Sequence, residues 1–125
     1  MSIDNNLYEK SIKILTDLIA FKTISGQDNS NLIDYCEKIL NNIGIDTFKV
    51  YDDDKKRVNL FGTLKAKNQS TKKPIILSGH TDVVPVSKGW SSDPFVATIK
   101  NNKLYGRGSC DMKGFIACTL AYAPI

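Results

Sequence analysis

The sequence predicts an α/β fold in which helices are layered on a mixed β-sheet. Two amphipathic helical patterns come first, short apolar runs with the character of strands follow them, and a further helical pattern closes the chain. The 125 residues, of which 42% are hydrophobic, are enough for one domain at most. We therefore expect the apolar faces of the helices to lie in the core of a single domain.

The first two helices are predicted from apolar residues at helical spacing. The first spans residues 5–20, and a loop that contains Gly26 follows over residues 21–29. The second spans residues 30–43 and ends at Gly44. The apolar residues that define the two patterns are Leu7, Ile14, Leu15, Leu18 and Ile19 in the first, and Leu32, Ile33, Cys36, Ile39, Leu40 and Ile43 in the second.

Three apolar runs after these helices have the length and composition of strands, and a polar turn separates the last two of them. The predicted strands span residues 45–51, 57–64 and 74–78, and the polar turn spans residues 66–73.

A hairpin and a helix complete the chain. Residues 96–100 and 103–106 are expected to pair around Asn101 and Asn102, because asparagine tolerates the backbone angles of a two-residue turn. The closing helix is predicted over residues 113–123, where apolar residues recur at positions that can pack on a core.

The first candidate functional residues follow the third predicted strand. Residues 75–86 read IILSGHTDVVPV, so that the apolar run ends at Gly79 and is followed at once by His80 and Asp82. His80 is the only histidine of the sequence. In an extended chain, residues i and i+2 point the same way, so Asp82 can approach one ring nitrogen of His80 and leave the other free for a metal ion. The alternative is a hydrogen-bonded turn without a metal.

Asp111 is the third candidate, in the run YGRGSCDMKG over residues 105–114. Gly106 and Gly108 permit unusual backbone angles just before it. Asp111 stands where an acidic side chain would cap the closing helix, which is the structural alternative to a metal ligand. The two glycines and the neighbouring Arg107 favour the functional interpretation, because an ordinary helix cap requires neither.

Three motifs together resemble one family of enzymes. They are SGHTDVVPV at residues 78–86, GWSSDPF at residues 89–95 and LYGRGSCDMKGFIA at residues 104–117. Their order and spacing are similar to those of the zinc-dependent aminoacylase and carboxypeptidase family of the peptidase M20 type, which includes acetylornithine deacetylase and succinyl-diaminopimelate desuccinylase. The resemblance implies that residues 1–125 are the N-terminal part of a di-zinc aminopeptidase-like catalytic domain, without its lid and dimerisation domain.

The resemblance also implies roles for the candidate residues. His80 would be a ligand of one zinc ion, and Asp111 would bridge two zinc ions. Asp82 would be the catalytic-site acid that orients His80. The complete site would hold two Zn²⁺ ions, or cobalt in their place, and the peptide bond between Asp111 and Met112 would be cis.

The activity that the resemblance implies is hydrolysis of the amide bond of an N-acyl amino acid. The GWSSDPF motif favours the conversion of N-acetylornithine to ornithine and acetate in arginine biosynthesis, with a desuccinylase or a dipeptidase as alternatives. The family's general-base glutamate and several of its metal ligands have no counterpart among the 125 residues, so we expect the chain alone to be inactive. An inactive fragment or a non-catalytic module is the alternative from another class. The complete protein is expected to be a homodimer.

Charge and composition exclude other partners. The net charge is +4, and lysines and acids are interspersed without the basic cluster that nucleic-acid binding requires. No apolar stretch is long enough to predict a membrane span. Three cysteines in a chain without an export signal indicate a reducing compartment, so we expect a cytoplasmic protein.

Overall fold

The computed structural model describes residues 5–66 and 72–123. It confirms the predicted α/β class, with helices packed beside small antiparallel sheets. A turn over Ser109–Lys113, which includes residues with non-helical backbone angles, leads into the last helix. In chain order the elements are α1 (Asn5–Ala20), α2 (Ser30–Asn42), β1 (Asp46–Tyr51), β2 (Val58–Thr63), β3 (Thr98–Lys100), β4 (Lys103–Tyr105) and α3 (Gly114–Tyr122).

The helices form as their apolar spacing predicts. The bounds of α1 are those expected, α2 ends one residue earlier, and α3 is one residue shorter at each end than predicted. The apolar faces of the three helices meet in one buried cluster, since removal of these side chains from water is the main force that holds the elements together. Its buried members are Ile14, Leu18, Leu32, Ile33, Cys36, Val58, Ala117, Leu120 and Ala121.

The strands form two hairpins. β1 and β2 pair antiparallel from Asp46 opposite Thr63 to Tyr51 opposite Val58. β3 and β4 pair around Asn101 and Asn102, whose φ angles of 51° and 58° confirm the predicted two-residue turn.

The organisation of the sheet differs from the prediction. The described strands form two separate two-stranded antiparallel sheets rather than one mixed sheet. Residues 74–78, predicted as a strand, belong to neither sheet, and Ile75, Ile76 and Leu77 are 89%, 83% and 62% exposed. An apolar run becomes a strand only where a neighbouring strand accepts its backbone hydrogen bonds, and no described strand lies beside this run. The predicted polar turn falls partly outside the described residues.

Among the helices that the structure describes, none combines the length and the apolar character needed to cross a bilayer.

Candidate metal site

The segment that carries His80 and Asp82 is held against the loop that follows α1. Ile24 and Val83 form an isolated parallel bridge between the two segments. The amide of Ser25 donates to the carbonyl of Val83 at 2.9 Å, and the amide of Val83 donates to the carbonyl of Thr23 at 2.8 Å. This pairing brings Ser25 beside Asp82 although 57 positions separate them in the sequence.

Side chains fix the same segment from a second direction. The hydroxyl of Thr23 donates to the carbonyl of Thr81 at 2.6 Å. The side-chain amide of Asn29 donates to the hydroxyl of Thr81 at 3.1 Å and to the carbonyl of Val58 at 3.0 Å. The side-chain oxygen of Asn29 accepts from the main-chain amide of Val58. Residues 80–82 are therefore anchored to the residue that precedes α2 and, through it, to β2, although they lie outside any described strand ladder.

The turn that carries Asp111 packs closely on this segment at Gly108 and on α1 at Gly106. Gly108 has a φ of 80°, and a Cβ atom there would lie 2.6 Å from a methyl carbon of Val83. A Cβ atom on Gly106 would lie 2.8 Å from the side chain of Ile19. The predicted need for unusual backbone angles is thus confirmed at Gly108, whereas Gly106 is required for close packing rather than for a positive φ.

The three predicted site residues meet at one place. Nε2 of His80 lies 3.0 Å from Oδ1 of Asp111. Nδ1 of His80 lies 3.0 Å from the main-chain oxygen of Asp82 and 3.2 Å from its Oδ1. The two carboxylates therefore contact opposite nitrogens of one imidazole ring, an arrangement that fixes the ring's orientation.

Asp111 does not cap α3. Its side chain is 86% exposed, and the residue at the N-cap position of α3 is Lys113, with no side-chain capping hydrogen bond. The peptide bond between Asp111 and Met112 is cis, as the family resemblance implied.

The electrostatics of the site follow from these contacts. The hydrogen bond to Asp111 raises the pKa of His80, and the main-chain contact and charge of Asp82 act in the same direction against partial desolvation. The hydroxyl of Ser25 donates to Oδ2 of Asp82 at 2.5 Å, and this bond is the largest cause that lowers the pKa of Asp82. Asp82 is thus a carboxylate at neutral pH, with one oxygen toward Ser25 and the other toward the imidazole.

Ser25 is a site residue that the sequence did not reveal. It lies in the loop after α1, where no motif marks it, and it reaches Asp82 only through the bridge between Ile24 and Val83. A contact between segments so distant along the chain leaves no local pattern in the sequence.

The site opens into a cleft of about 250 Å³, whose lining includes Ser25, Arg107 and Cys110 besides the three site residues. The guanidinium of Arg107 lies 5.1 Å from the centre of the Trp90 ring, and its Nη2 donates to the carbonyl of Pro85 at 3.4 Å. The amide of Arg107 donates to the carbonyl of Pro94 at 2.6 Å. Arg107 therefore fastens the loop of residues 85–95 to the rim of the cleft.

The donor set fits zinc in kind. An imidazole nitrogen and a carboxylate oxygen are both common zinc ligands, and Asp82 lies where a metal-binding histidine usually has its orienting partner. The set contains two direct ligands, however, whereas a catalytic zinc ion requires about three protein ligands. Over residues 5–66 and 72–123, no group of three or more histidine, cysteine, aspartate or glutamate side chains is arranged to hold a metal ion.

Comparison with known proteins supports the family assignment. Residues 76–125 match the sequence model of the family described as Peptidase family M20/M25/M40, and these residues include all three candidate site residues. The predicted resemblance to this family is confirmed.

Two relatives show the same degree of similarity. The chain is 40% identical to an acetylornithine deacetylase of Myxococcus xanthus over 109 residues, which are 85% of this chain and 28% of the relative. It is also 40% identical to a succinyl-diaminopimelate desuccinylase of Rickettsia akari over 116 residues, which are 88% of this chain and 29% of the relative. The chain thus spans less than a third of the length of these relatives.

The fold is also found in a solved structure. The crystal structure of human carnosine dipeptidase 1 superimposes with a TM-score of 0.76 over 96% of this chain and 29% of the dipeptidase chain, at 24% sequence identity. This likeness supports the α/β fold and carries no information on substrate.

Proposed function

We propose that this chain is the N-terminal part of the catalytic domain of a metal-dependent amidohydrolase that removes the acyl group of an N-acyl amino acid. The observation that carries the proposal is the arrangement of His80 between Asp82 and Asp111, with ring nitrogens 3.0 Å from the Asp82 main-chain oxygen and from Oδ1 of Asp111. The family match over residues 76–125 includes all three residues and supports the same proposal.

In this proposal each site residue has its own role. His80 and Asp111 hold zinc, with two zinc ions in the complete site and cobalt as a possible substitute. Asp82 orients the imidazole, and Ser25 holds Asp82 through its second carboxylate oxygen. A bound zinc ion supplies Lewis-acid polarisation of the scissile carbonyl and activates water for attack.

Further groups are needed for turnover. A catalytic zinc ion requires about three protein ligands, and amide hydrolysis requires a general base that accepts a proton from water. Among the described residues that line the cleft, His80 and Asp111 are the two proposed ligands, and none is a glutamate. We propose that the remaining ligands, the general-base glutamate and a lid domain belong to sequence that the longer relatives possess, and that the 125-residue chain alone does not turn over substrate.

For the substrate we favour N-acetylornithine, with release of ornithine and acetate in arginine biosynthesis. The support is the GWSSDPF segment and the similarity to the Myxococcus xanthus acetylornithine deacetylase. The second candidate is removal of a succinyl group from succinyl-diaminopimelate, because the Rickettsia akari relative is equally identical to this chain. A dipeptidase of the same family and an inactive fragment are the remaining alternatives.

The proposed setting is the cytoplasm, with a small-molecule substrate and no nucleic-acid or membrane partner, and with the complete protein as a homodimer. The net charge of only +4 and the interspersed basic and acidic residues support the absence of a nucleic-acid partner.

Zinc affinity of the chain tests the metal site directly. Competition with a chromophoric chelator is expected to show zinc binding that His80→Ala or Asp111→Asn weakens by at least about a hundredfold, because loss of a direct ligand costs more than the roughly 10–100-fold that loss of a ligand's hydrogen-bond partner costs. Asp53→Asn, in the exposed turn between β1 and β2, is the matched control and is expected to leave the affinity unchanged. Equal affinity of the wild type and His80→Ala would exclude the proposed site.

Substrate assays test the activity. The chain is expected to release no acetate from N-acetylornithine above the level of the His80→Ala variant. Zinc-dependent release above that level would disprove the proposed need for further residues. Preference of an active, longer form for N-succinyl-diaminopimelate would favour the second candidate.

A further inference from the structure

Lys113 is a fully buried lysine two residues after Asp111, with 0% of its surface exposed. Its Nζ donates to the carbonyl of Leu18 at 2.8 Å and to the carbonyl of Phe21 at 2.7 Å. These carbonyls lie at the C-terminal end of α1, where main-chain oxygens lack partners within the helix and a positive charge is favourable. α1 has no basic residue in its own last turn, so Lys113 supplies that charge from the other end of the chain.

The stem of Lys113 passes through the junction of the two halves of the site. Its Cδ and Cγ lie 3.3 Å and 3.5 Å from the position that a Cβ on Gly108 would take, with a methyl of Val83 on the same side. Its amide donates to the carbonyl of Gly108 at 2.8 Å and so closes the turn that carries Asp111. The side chain therefore lies between Gly108 of the Asp111 turn and the end of α1.

The two acceptors of Lys113 connect it to the other half of the site. Phe21 begins the loop in which Ser25 holds Asp82 and in which Thr23 binds the main chain of Thr81 and Val83. One ammonium group thus links the turn that carries Asp111 to the loop that positions Asp82 and His80.

We propose that Lys113 is a positioning residue that sets the separation between Asp111 and His80 by linking the Asp111 turn to the loop after α1. Its relevance to metal binding rests on the proposed function, whereas its effect on the geometry of His80 and Asp111 does not. If Lys113 served only to stabilise the core, its replacement would lower the stability of the protein without changing the environment of His80.

The experiment uses the single histidine as a probe. The chain is labelled with ¹⁵N- and ¹³C-histidine, and the ring resonances of His80 are compared in the wild type, in Lys113→Met and in Leu32→Ala. Methionine keeps the unbranched stem of lysine and removes the N–H donors of Nζ. Leu32→Ala is the control for a general loss of stability, because Leu32 lies on α2 and is fully buried in the core. Should Lys113→Met be unfolded in buffer, trimethylamine N-oxide is added to all three samples, because this osmolyte favours the folded state.

Lys113→Met is expected to shift the Nε2 resonance of His80 away from the wild-type position, because the contact between His80 and Asp111 is lost. Leu32→Ala is expected to leave that resonance in place. Zinc affinity, measured by chelator competition, is expected to fall about tenfold in Lys113→Met and to stay within about twofold in Leu32→Ala. An unchanged His80 resonance in folded Lys113→Met, or the same shift in Leu32→Ala, would overturn the proposal. If the wild type binds no zinc, the proposal that His80 and Asp111 hold zinc in this chain fails, and the His80 resonance still decides the role of Lys113.

Discussion

Replacement of Asn29 by alanine is expected to lower the free energy of unfolding by about 3 kcal/mol. The side-chain amide of Asn29 donates to the carbonyl of Val58 at 3.0 Å and to the hydroxyl of Thr81 at 3.1 Å, and its oxygen accepts from the amide of Val58 at 2.8 Å. Each such bond contributes about 0.5–1.5 kcal/mol, so three bonds contribute about 1.5–4.5 kcal/mol. Because Val58 is buried, its main-chain groups cannot exchange these bonds for water without cost.

Urea denaturation followed by far-ultraviolet circular dichroism measures this effect, and the loss should appear as a lower midpoint at an unchanged slope. Asn31→Ala is the matched control, since Asn31 is exposed on α2 and alanine has the higher helix propensity. The control is expected to change the free energy of unfolding by less than about 0.5 kcal/mol. A loss in Asn29→Ala no larger than in the control would refute the conclusion that Asn29 ties residues 80–82 to β2.

Three further predictions concern glycine and cysteine positions. Gly108→Ala should cost several kcal/mol more than Gly26→Ala, because both have positive φ but a Cβ would meet a valine methyl at 2.6 Å only at Gly108; equal losses in urea denaturation would contradict this. At pH 8, Ellman's reagent should modify the exposed Cys110 and Cys118 quickly and the buried Cys36 roughly a thousandfold more slowly, since burial raises the pKa of Cys36 to about 12; three equal rates would count against a buried thiol. Between pH 9 and pH 12 the Cys36 thiol ionises in the unfolded chain, where its pKa is the ordinary 9.0, but stays protonated in the folded protein. The stability that Cys36 contributes is therefore complete below pH 9 and falls by up to about 1.4 kcal/mol per pH unit toward pH 12. The difference in unfolding free energy between wild type and Cys36→Ala should therefore decrease over that range, and a constant difference would show that the thiol ionises equally in both states.

Local patterns predicted the helices and the tight turns well. The bounds of α1 follow from apolar residues at helical spacing, and Asn101 and Asn102 mark the turn of the second hairpin. The proximity of His80 and Asp82 also follows from local geometry, because residues two apart in an extended chain share a side. The contact of Asp82 with the ring involves its main-chain oxygen as well as its carboxylate, which side-chain reasoning alone did not predict.

The features that sequence reasoning missed depend on contacts between distant segments. Ser25 reaches Asp82 across 57 positions, and Lys113 reaches Leu18 and Phe21 across 95 and 92 positions. The strand predicted for residues 74–78 shows the opposite case, in which a strong local pattern lacks the neighbour that would complete it among the described residues. Propensity describes what a segment favours, and tertiary structure decides whether its partner is present.

The exposed apolar segment of residues 75–77 has a consequence for the behaviour of the chain in concentrated solution. Two copies can pair their backbones along this segment. Such pairing is bimolecular, so its rate falls with the square of the dilution, whereas the rate constant of folding does not change. The net charge of +4 opposes the encounter of two copies at low ionic strength, and added salt screens that repulsion. Light scattering should therefore show growth of oligomers that accelerates with both protein and salt concentration, and dilute, low-salt buffer is the condition in which the monomer lasts longest.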